Sequence, residues 1–562
     1  MPRADLRLVL AGVAVLLAAA DTYVVVLALP DVMTGVGLDA DELGRAAPIV
    51  SVFLLGYVAV LPAVGRLADL AGRVPVLVGC LLIFAVGSLV TATAETLPAV
   101  VAGRGLQGVG AGGLVPATLA LVADLYPPDR RGVPLGAVGA AQEAGALLGP
   151  LYGALVLALA GWRTIFWINL GAGLLLAVVF VVTRREDKRQ RADSVGAALL
   201  VLAAAGLVLL LVAPGVLVED VTWGVIFEPL AGGGSATSPL ALATAATGLL
   251  AVARAATVPP NVRALPPVRG VPRLAAAADL PGATLAALGL GGIVLALSVG
   301  DPERQTLADH GPVLLAASAV LLALFVLRER RARQPLVPAG AFAAAPAYGG
   351  LVVSLLVGAA LIAALVDVPV YGRVTGDDQL GAALLLIRLL AAVPVGAVLG
   401  GLGSQRFGDR ATTAVGAALA AGGLAAMTGW GAEPQPVTTT VALAVTGLGF
   451  GLTIAPINAS VLASTAQGVH GLASALIVVA RTIGMLVGLS VLTAIGLHRF
   501  AAESAGITSP LQLCPATPTS CPAYDAAIQS AALAQVHAVF LGAAVCASLA
   551  AVGAFLLRRR TA

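Results

Sequence analysis

Charge is scarce in this sequence. Asp, Glu, Lys and Arg together supply 11% of its 562 residues, against about 25% in soluble globular domains, which excludes an ordinary water-facing surface. Lysine is nearly absent, with Lys188 its one occurrence, while Ala, Gly and Arg dominate, as expected of a GC-rich bacterial source. The His-Glu-x-x-His and Gly-x-Ser-x-Gly patterns are missing too, and no paired Ser/His or metal-ligand cluster falls within one apolar run. A membrane-embedded enzyme is therefore the lesser reading, and no cofactor or metal is expected. His310, His470, His498 and His537 stand at run ends or in loops without partner spacing, and read as solvated side chains. The net charge of +3 is divided among short clusters between apolar runs, a pattern of membrane topology and not of a nucleic-acid face.

What the chain has in abundance is apolar length. Hydrophobic residues make up 59% and the mean hydropathy is +1.00. A hydrocarbon core ~30 Å thick takes about 20 apolar residues per helix, and such runs recur from Leu8 almost to Leu557. Bounded by Pro, Gly or charge, they predict helices near 8–30, 46–64, 74–93, 97–124, 133–160 and 163–183, then a second six near 346–366, 380–402, 411–431, 437–463, 471–497 and 531–557. The first run follows Arg3 and Arg7 but holds Asp21 and has no small-residue cleavage site, so it reads as a retained helix and not a signal peptide. Clusters at Arg66/Arg73, Arg130/Arg131, Arg184 to Arg191, Arg328 to Arg333, Arg406/Arg410 and Arg558 to Arg560 fall at every second boundary. The positive-inside rule then places both termini on the cytoplasmic side of a bacterial inner membrane. The expected fold is all-α and polytopic: a six-helix bundle over 1–190, inserted central helices and linkers over 191–335, and a second six-helix bundle over 336–562.

The two blocks echo each other. Gly65-Arg66-Leu67-Ala68-Asp69-Leu70-Ala71-Gly72-Arg73, read as a tight loop with Asp69 and Arg73 as a charge relay, has a worn counterpart at Gly401 to Asp409. Repeated six-helix halves are a transporter signature. That loop, the intramembrane-arginine stretch Arg104-Gly-Leu-Gln107-Gly108, and Gly139-Ala-Ala-Gln-Glu143-Ala-Gly145-Ala-Leu-Leu-Gly149-Pro150-Leu-Tyr-Gly153 resemble motifs of the major facilitator superfamily, the last of them its antiporter motif. Small residues at such spacing let helix backbones approach, and Pro150 supplies a bend. Asp21-Thr-Tyr-Val-Val-Val-Leu-Ala-Leu-Pro30 and Trp162-Arg-Thr-Ile-Phe-Trp-Ile-Asn169 resemble the drug/proton antiporter branch with extra central helices. Gly149-Pro-Leu-Tyr-Gly153, Leu365-Val-Asp367-Val, His470-Gly-Leu-Ala-Ser and Val479-Ala-Arg481 are similar to the mycobacterial triacylglyceride exporters of that branch. The resemblance implies proton-driven export of a hydrophobic or amphipathic compound, lipid first and drugs second, with protons and membrane lipids as the other partners. One departure is the stretch 431–437, too short for the periplasmic hairpin those exporters carry, which puts partnership with a periplasmic lipoprotein in doubt.

An ionisable group in the bilayer core costs about 2.5–3.5 kcal/mol or more, so it faces a cavity or a partner. Counting ~1.5 Å of rise per residue from the nearest cytoplasmic anchor puts Asp21 ~21 Å from Arg7, Glu143 ~18 Å from Arg131 and Arg481 ~16 Å from His470, all near mid-membrane. Arg104, Asp367 and Arg388 fall in the outer half by the same count, as a second cluster. A carboxylate taken out of water holds its proton more tightly, and a nearby arginine loosens it. Asp21 and Glu143 are therefore expected to carry protons, with Arg481 competing for the two carboxylates, against the alternative of a static ion pair between Glu143 and Arg481. For Asp367 and Arg388 a static pair is the first reading, and Arg104 is either a clamp or part of a gate.

Two features lie outside the twelve-helix frame. Cys514 and Cys521 share the loop 499–530, extracytoplasmic by this topology, where an oxidising compartment lets them pair, whereas Cys80 and Cys546 fall inside helices. Apolar stretches at 194–214, 238–256, 282–300 and 312–328 add four spans, for sixteen in all. If 238–256 did not cross, Arg328 to Arg333 would lie outside, against the positive-inside rule. The starts Ala192-Asp-Ser-Val-Gly-Ala197 and Ala278-Asp-Leu-Pro-Gly-Ala283 match, as do Leu249-Leu-Ala-Val and Leu321-Leu-Ala-Leu, so a tandem duplication of the central pair is expected. The alternative keeps fourteen spans and makes 215–280 a surface excursion.

Overall fold

A computed structural model describes residues 3–38, 43–183 except 47, scattered positions over 191–209, then 222–228, 238–257, 262–263, 279–297, 310–332 and 335–558 except 339, 378, 434 and 515–519. The first bundle consists of α1 (Arg3–Gly35), α2 (Pro48–Ala71), α3 (Arg73–Ala92), α4 (Leu97–Leu125), α5 (Gly132–Ala160) and α6 (Trp162–Thr183). In the centre, the described positions 195–196, 198–199, 202–203, 206 and 209 are all helical and are together labelled α7; α8 (Pro239–Thr257), α9 (Leu280–Leu297) and α10 (Gly311–Glu329) follow. The second bundle consists of α11 (Ala345–Val374), α12 (Gln379–Phe407), α13 (Asp409–Met427), α14 (Pro436–Ser464), α15 (His470–Ser504) and α16 (Pro522–Gly553). Among the described residues, eleven helices are long and apolar enough to cross a bilayer by length and composition. Exposed leucines and valines such as Leu159, Leu175, Val441 and Val552 make their outer faces apolar, as a lipid solvent requires.

Internal repetition accounts for much of the packing. In the first half α4 rests on α2 where Gly108 and Gly112 face the carbonyls of Phe53 and Tyr57; in the second, α14 rests on α12 where Gly447 and Gly451 face those of Leu389 and Val393. A side chain at any of the four would strike backbone, so the same four-residue step brings each helix pair into close contact. Each half carries a proline inside its first, second and fourth helices: Pro30, Pro62 and Pro116, then Pro369, Pro394 and Pro456. The stretch 65–73 is mostly not a loop, as its glycines suggested: 65–71 are the last turns of α2, and the reversal is confined to Gly72 at φ 89°. Gly408, at φ 86°, makes the same reversal between α12 and α13. The halves meet along two seams, α2 with α15 and α5 with α12.

On the first side, α5 crosses α1 through the antiporter-motif glycines. Gly145 and Gly149 face the carbonyls of Leu16 and Ala20, Gly153 faces Val24, and Pro150 lies within the helix between them. Gly149→Leu is expected to lower stability by about 1–3 kcal/mol, the usual cost of forcing extra carbons into a packed contact. Thermal unfolding of the purified protein in detergent measures it, and an unchanged midpoint would contradict the close crossing.

Candidate functional site

Four buried polar side chains and one hydroxyl converge inside the first bundle. Arg104 on α4 donates from Nη1 to Asp21 Oδ2 on α1 (2.7 Å) and to Gln107 Oε1 (3.0 Å). Asn169 on α6 donates to Asp21 Oδ1 (2.6 Å), and Gln107 donates to Ser88 on α3 (2.9 Å). The guanidinium also lies 4.2 Å from the ring centre of Phe53 on α2. Asp21 and Arg104 are each 1% exposed, so both charges depend on these contacts and not on water. This corrects one expectation and adds a partner. Arg104 does not join an outward cluster with Asp367 and Arg388, and instead pairs with Asp21. Gln107 and Asn169 lay in the quoted motifs without a role; the spacing of Gln107 three residues from Arg104, on one helix face, was the available signal.

Between the halves, Glu143 on α5 and Arg481 on α15 form an ion pair at 3.4 Å. They border a cavity whose other walls include Val115, Leu119, Val357, Leu361, Phe450 and Ile477. The lining is thus mostly apolar, drawn from helices of both bundles, with one charge pair across it. Its remaining polar side chains are Gln142, Ser354, Thr453 and Asn458. Ser354 and Thr453 spend their hydroxyl protons on the backbone carbonyls of Ile477 and Phe450. Asn458 donates to the carbonyl of Ile454 (2.8 Å), and its Oδ1 is buried without a partner.

At the end of the molecule that holds Gly72, the halves are latched. Gly65 and Gly471 bring α2 and α15 together backbone to backbone. Asp69 pairs with Arg73 at 2.5 Å and accepts hydrogen bonds from the amides of Gly471 (2.8 Å) and Leu472 (3.1 Å) of the other half. Arg73 extends to Asp124 (3.2 Å) and to the carbonyl of Gln467 (3.4 Å), so the relay expected within one loop reaches across the seam. His470 is 3% exposed with Nε2 3.3 Å from the carbonyl of Thr465, and is not the solvated side chain that its position in the sequence suggested.

The opposite end is held differently. Tyr371 donates its hydroxyl to the carbonyl of Gly431 (2.9 Å), and His537 Nε2 lies 2.8 Å from that of Trp430, which pins the short connection between α13 and α14. Cys514 and Cys521 are joined in a disulfide, with Cα atoms 5.7 Å apart. Asp367 is 5% exposed on α11, whereas Arg388 is exposed on α12 and donates to Thr440 (3.1 Å). The expected Asp367–Arg388 pair is therefore not formed; adjacency of their helices in sequence did not set the side chains on facing surfaces.

Known proteins share this architecture. The family model of the Major Facilitator Superfamily matches residues 11–300. A triacylglyceride transporter of Mycolicibacterium hassiacum is 36% identical over 502 residues, covering 87% of this chain and 78% of that one. A triacylglyceride transporter of Mycobacteroides abscessus is 34% identical over 508 residues, covering 87% and 82%. Among solved structures, a human organic anion transporter superposes with a TM-score of 0.54 at 16% identity, covering 99% of this chain and 100% of that one. The fucose:proton symporter of E. coli gives 0.51 at 15% identity with the same coverage. These two likenesses bear on the fold alone, whereas the family model and the transporter relatives bear on descent: the chain belongs to the major facilitator superfamily.

Proposed function

We propose that the protein is a proton-coupled exporter of a hydrophobic or amphipathic compound, a lipid of the triacylglyceride kind first, working by alternating access. The observation that carries this reading is the Glu143–Arg481 pair, a carboxylate of one half bound to an arginine of the other across a mainly apolar cavity. Protonation of Glu143 removes one charge of the pair, weakening a tie between the halves at the place where a ligand would sit. Asp21 is the second carrier; its proton exchange requires Arg104 and Asn169 to let go first. The Asp69 latch keeps one end closed while the other opens. That end is assigned to the cytoplasm of a bacterial inner membrane, with both termini there, because the arginine clusters gather on it while the disulfide lies on the loop between α15 and α16. No periplasmic lipoprotein enters this reading.

The lipid preference draws on the names of the relatives. A drug is the second reading, favoured by a lining that is mainly apolar with a few polar groups, Gln142, Glu143, Asn458 and Arg481 among them, the make-up of small-molecule sites. Comparing the lipids of a deletion strain with those of its parent decides between them. Retention of neutral lipid in the deletion strain is the expected result. Unchanged lipids with new drug sensitivity would replace the lipid reading by the multidrug one.

A further inference from the structure

Two hairpins in the central region are built to one plan. Asp279, just before α9, holds Arg328 near the end of α10, with Nη2 at 2.5 Å and Nε at 3.0 Å from Oδ1. Gly292, thirteen residues after that aspartate, faces the hydroxyl of Ser318, ten residues before that arginine. In the preceding pair, Asp193 holds Arg254 near the end of α8, with Nη2 at 3.3 Å and Nε at 3.4 Å. Gly206, again thirteen residues on, faces the hydroxyl of Thr244, again ten residues before the arginine. Even the exposures agree: the aspartate side chains are 2% and 4% exposed, and the arginines 42% and 40%. Unrelated helix pairs have no reason to share a charge clamp, a glycine contact and both spacings. The structural register also moves the sequence match by two residues, setting Leu250 against Leu324, both lipid-facing in character, rather than Leu249 against Leu321.

We propose that 193–257 is a second transmembrane copy of the 279–328 hairpin, so that the chain crosses the membrane sixteen times. The clamp holds both ends of the first hairpin at one side, as does the parallel pairing of Arg191–Ala192 with Val262–Arg263. Between them α8 has 19 residues, a rise of ~28 Å against a hydrocarbon core of ~30 Å. Leu242, Leu249 and Leu250 stand half exposed or more on it, a surface that suits lipid and not water. The clamp neutralises an arginine where the helix leaves the membrane.

Labelling the full chain tests this, with Cys80→Ala and Cys546→Ala removing the free thiols. In intact cells a membrane-impermeant maleimide should reach Val225→Cys, in the turn between α7 and α8, but reach Ala264→Cys only after permeabilisation. Protection of Val225→Cys until permeabilisation, or labelling of Ala264→Cys from outside, overturns the proposal. For the clamp, Arg254→Asp should lower the thermal midpoint and the swap Asp193→Arg with Arg254→Asp should restore it; no rescue overturns the clamp.

The cavity carries a second, independent inference, which rests on the export reading. The amide of Asn458 must present its NH2 to the Ile454 carbonyl, which can only accept, and this fixes Oδ1 as a free acceptor. That oxygen is buried, on a residue 6% exposed in the cavity wall. From this we infer that the ligand brings a hydrogen-bond donor, and assign it to a glycerolipid with one free hydroxyl in preference to a fully esterified one, which has none. Binding of long-chain diacylglycerol and triacylglycerol to the purified protein should differ by about 3- to 10-fold in favour of the former, the worth of one such bond. Asn458→Leu should erase the difference and keep triacylglycerol binding. Equal binding in the wild type, or a preference that survives Asn458→Leu, overturns the assignment; binding of neither lipid overturns the lipid reading itself.

Discussion

Glu143→Gln is expected to cut proton-driven transport by about 10²- to 10⁴-fold, the loss that follows removal of a positioned proton-transfer group. The amide keeps the shape of the carboxyl and can still accept a hydrogen bond from Arg481, 3.4 Å away in the native pair, so folding and insertion should persist. Only the titration is lost. In liposomes with an imposed pH gradient the variant should therefore fail to accumulate or expel substrate, while gradient-independent exchange of substrate continues. Native rates in the gradient assay would sink the coupling role of Glu143. Loss of exchange as well would assign the residue to substrate binding.

The second large effect belongs to the first bundle. Arg104→Met leaves Asp21 buried without its cation, and breaking one side of a buried pair costs about 3–5 kcal/mol. Adding Asp21→Asn should return most of that stability, because Asn169 and Gln107 can still bond to the amide that replaces the carboxylate. Transport should not return with it, since the group that takes the proton is gone. A double variant no more stable than Arg104→Met would show that the arginine acts through its packing on Phe53 and not through the charge.

The helices were legible because apolar length is nearly the whole constraint in a bilayer. Their ends were less so: α16 begins at Pro522 and not near 531, and α2 continues through Asp69, because helices extend beyond the apolar core into segments with mixed residues. Glu143 and Arg481 were placed at one depth by counting rise along each helix, and they do meet. The same count separated Asp21 from Arg104, because rise per residue assumes straight helices and anchors at one level, and α4 holds Pro116, a residue that removes a helix hydrogen bond. No linear count shows which face a residue presents, so the missing Asp367–Arg388 pair and the burial of His470 had no signal in the sequence. The likeness of the two central hairpins was visible at Asp193 and Asp279; its second half was misaligned because runs of leucine and alanine match at several registers, whereas Arg254 and Arg328, with Thr244 and Ser318, set the register that the contacts show.

One consequence of the Asp69 contacts concerns how opening of that end can be watched. Gly471 and Leu472 lie in the first turn of α15, where helix amides have no partner within their own helix. Their partner is a carboxylate of the other half, so the helix borrows its N-terminal cap across the seam. Parting the halves uncaps α15, at a cost of about 0.5–2 kcal/mol for a cap of this kind, and hands both amides to water. Solvent deuterium should therefore enter Gly471 and Leu472 only as often as the latch opens. Ten residues on from Gly471 along the same helix stands Arg481, so the exchange rate of two backbone protons becomes a clock for the cavity, slowed by any ligand that holds the halves closed at this end.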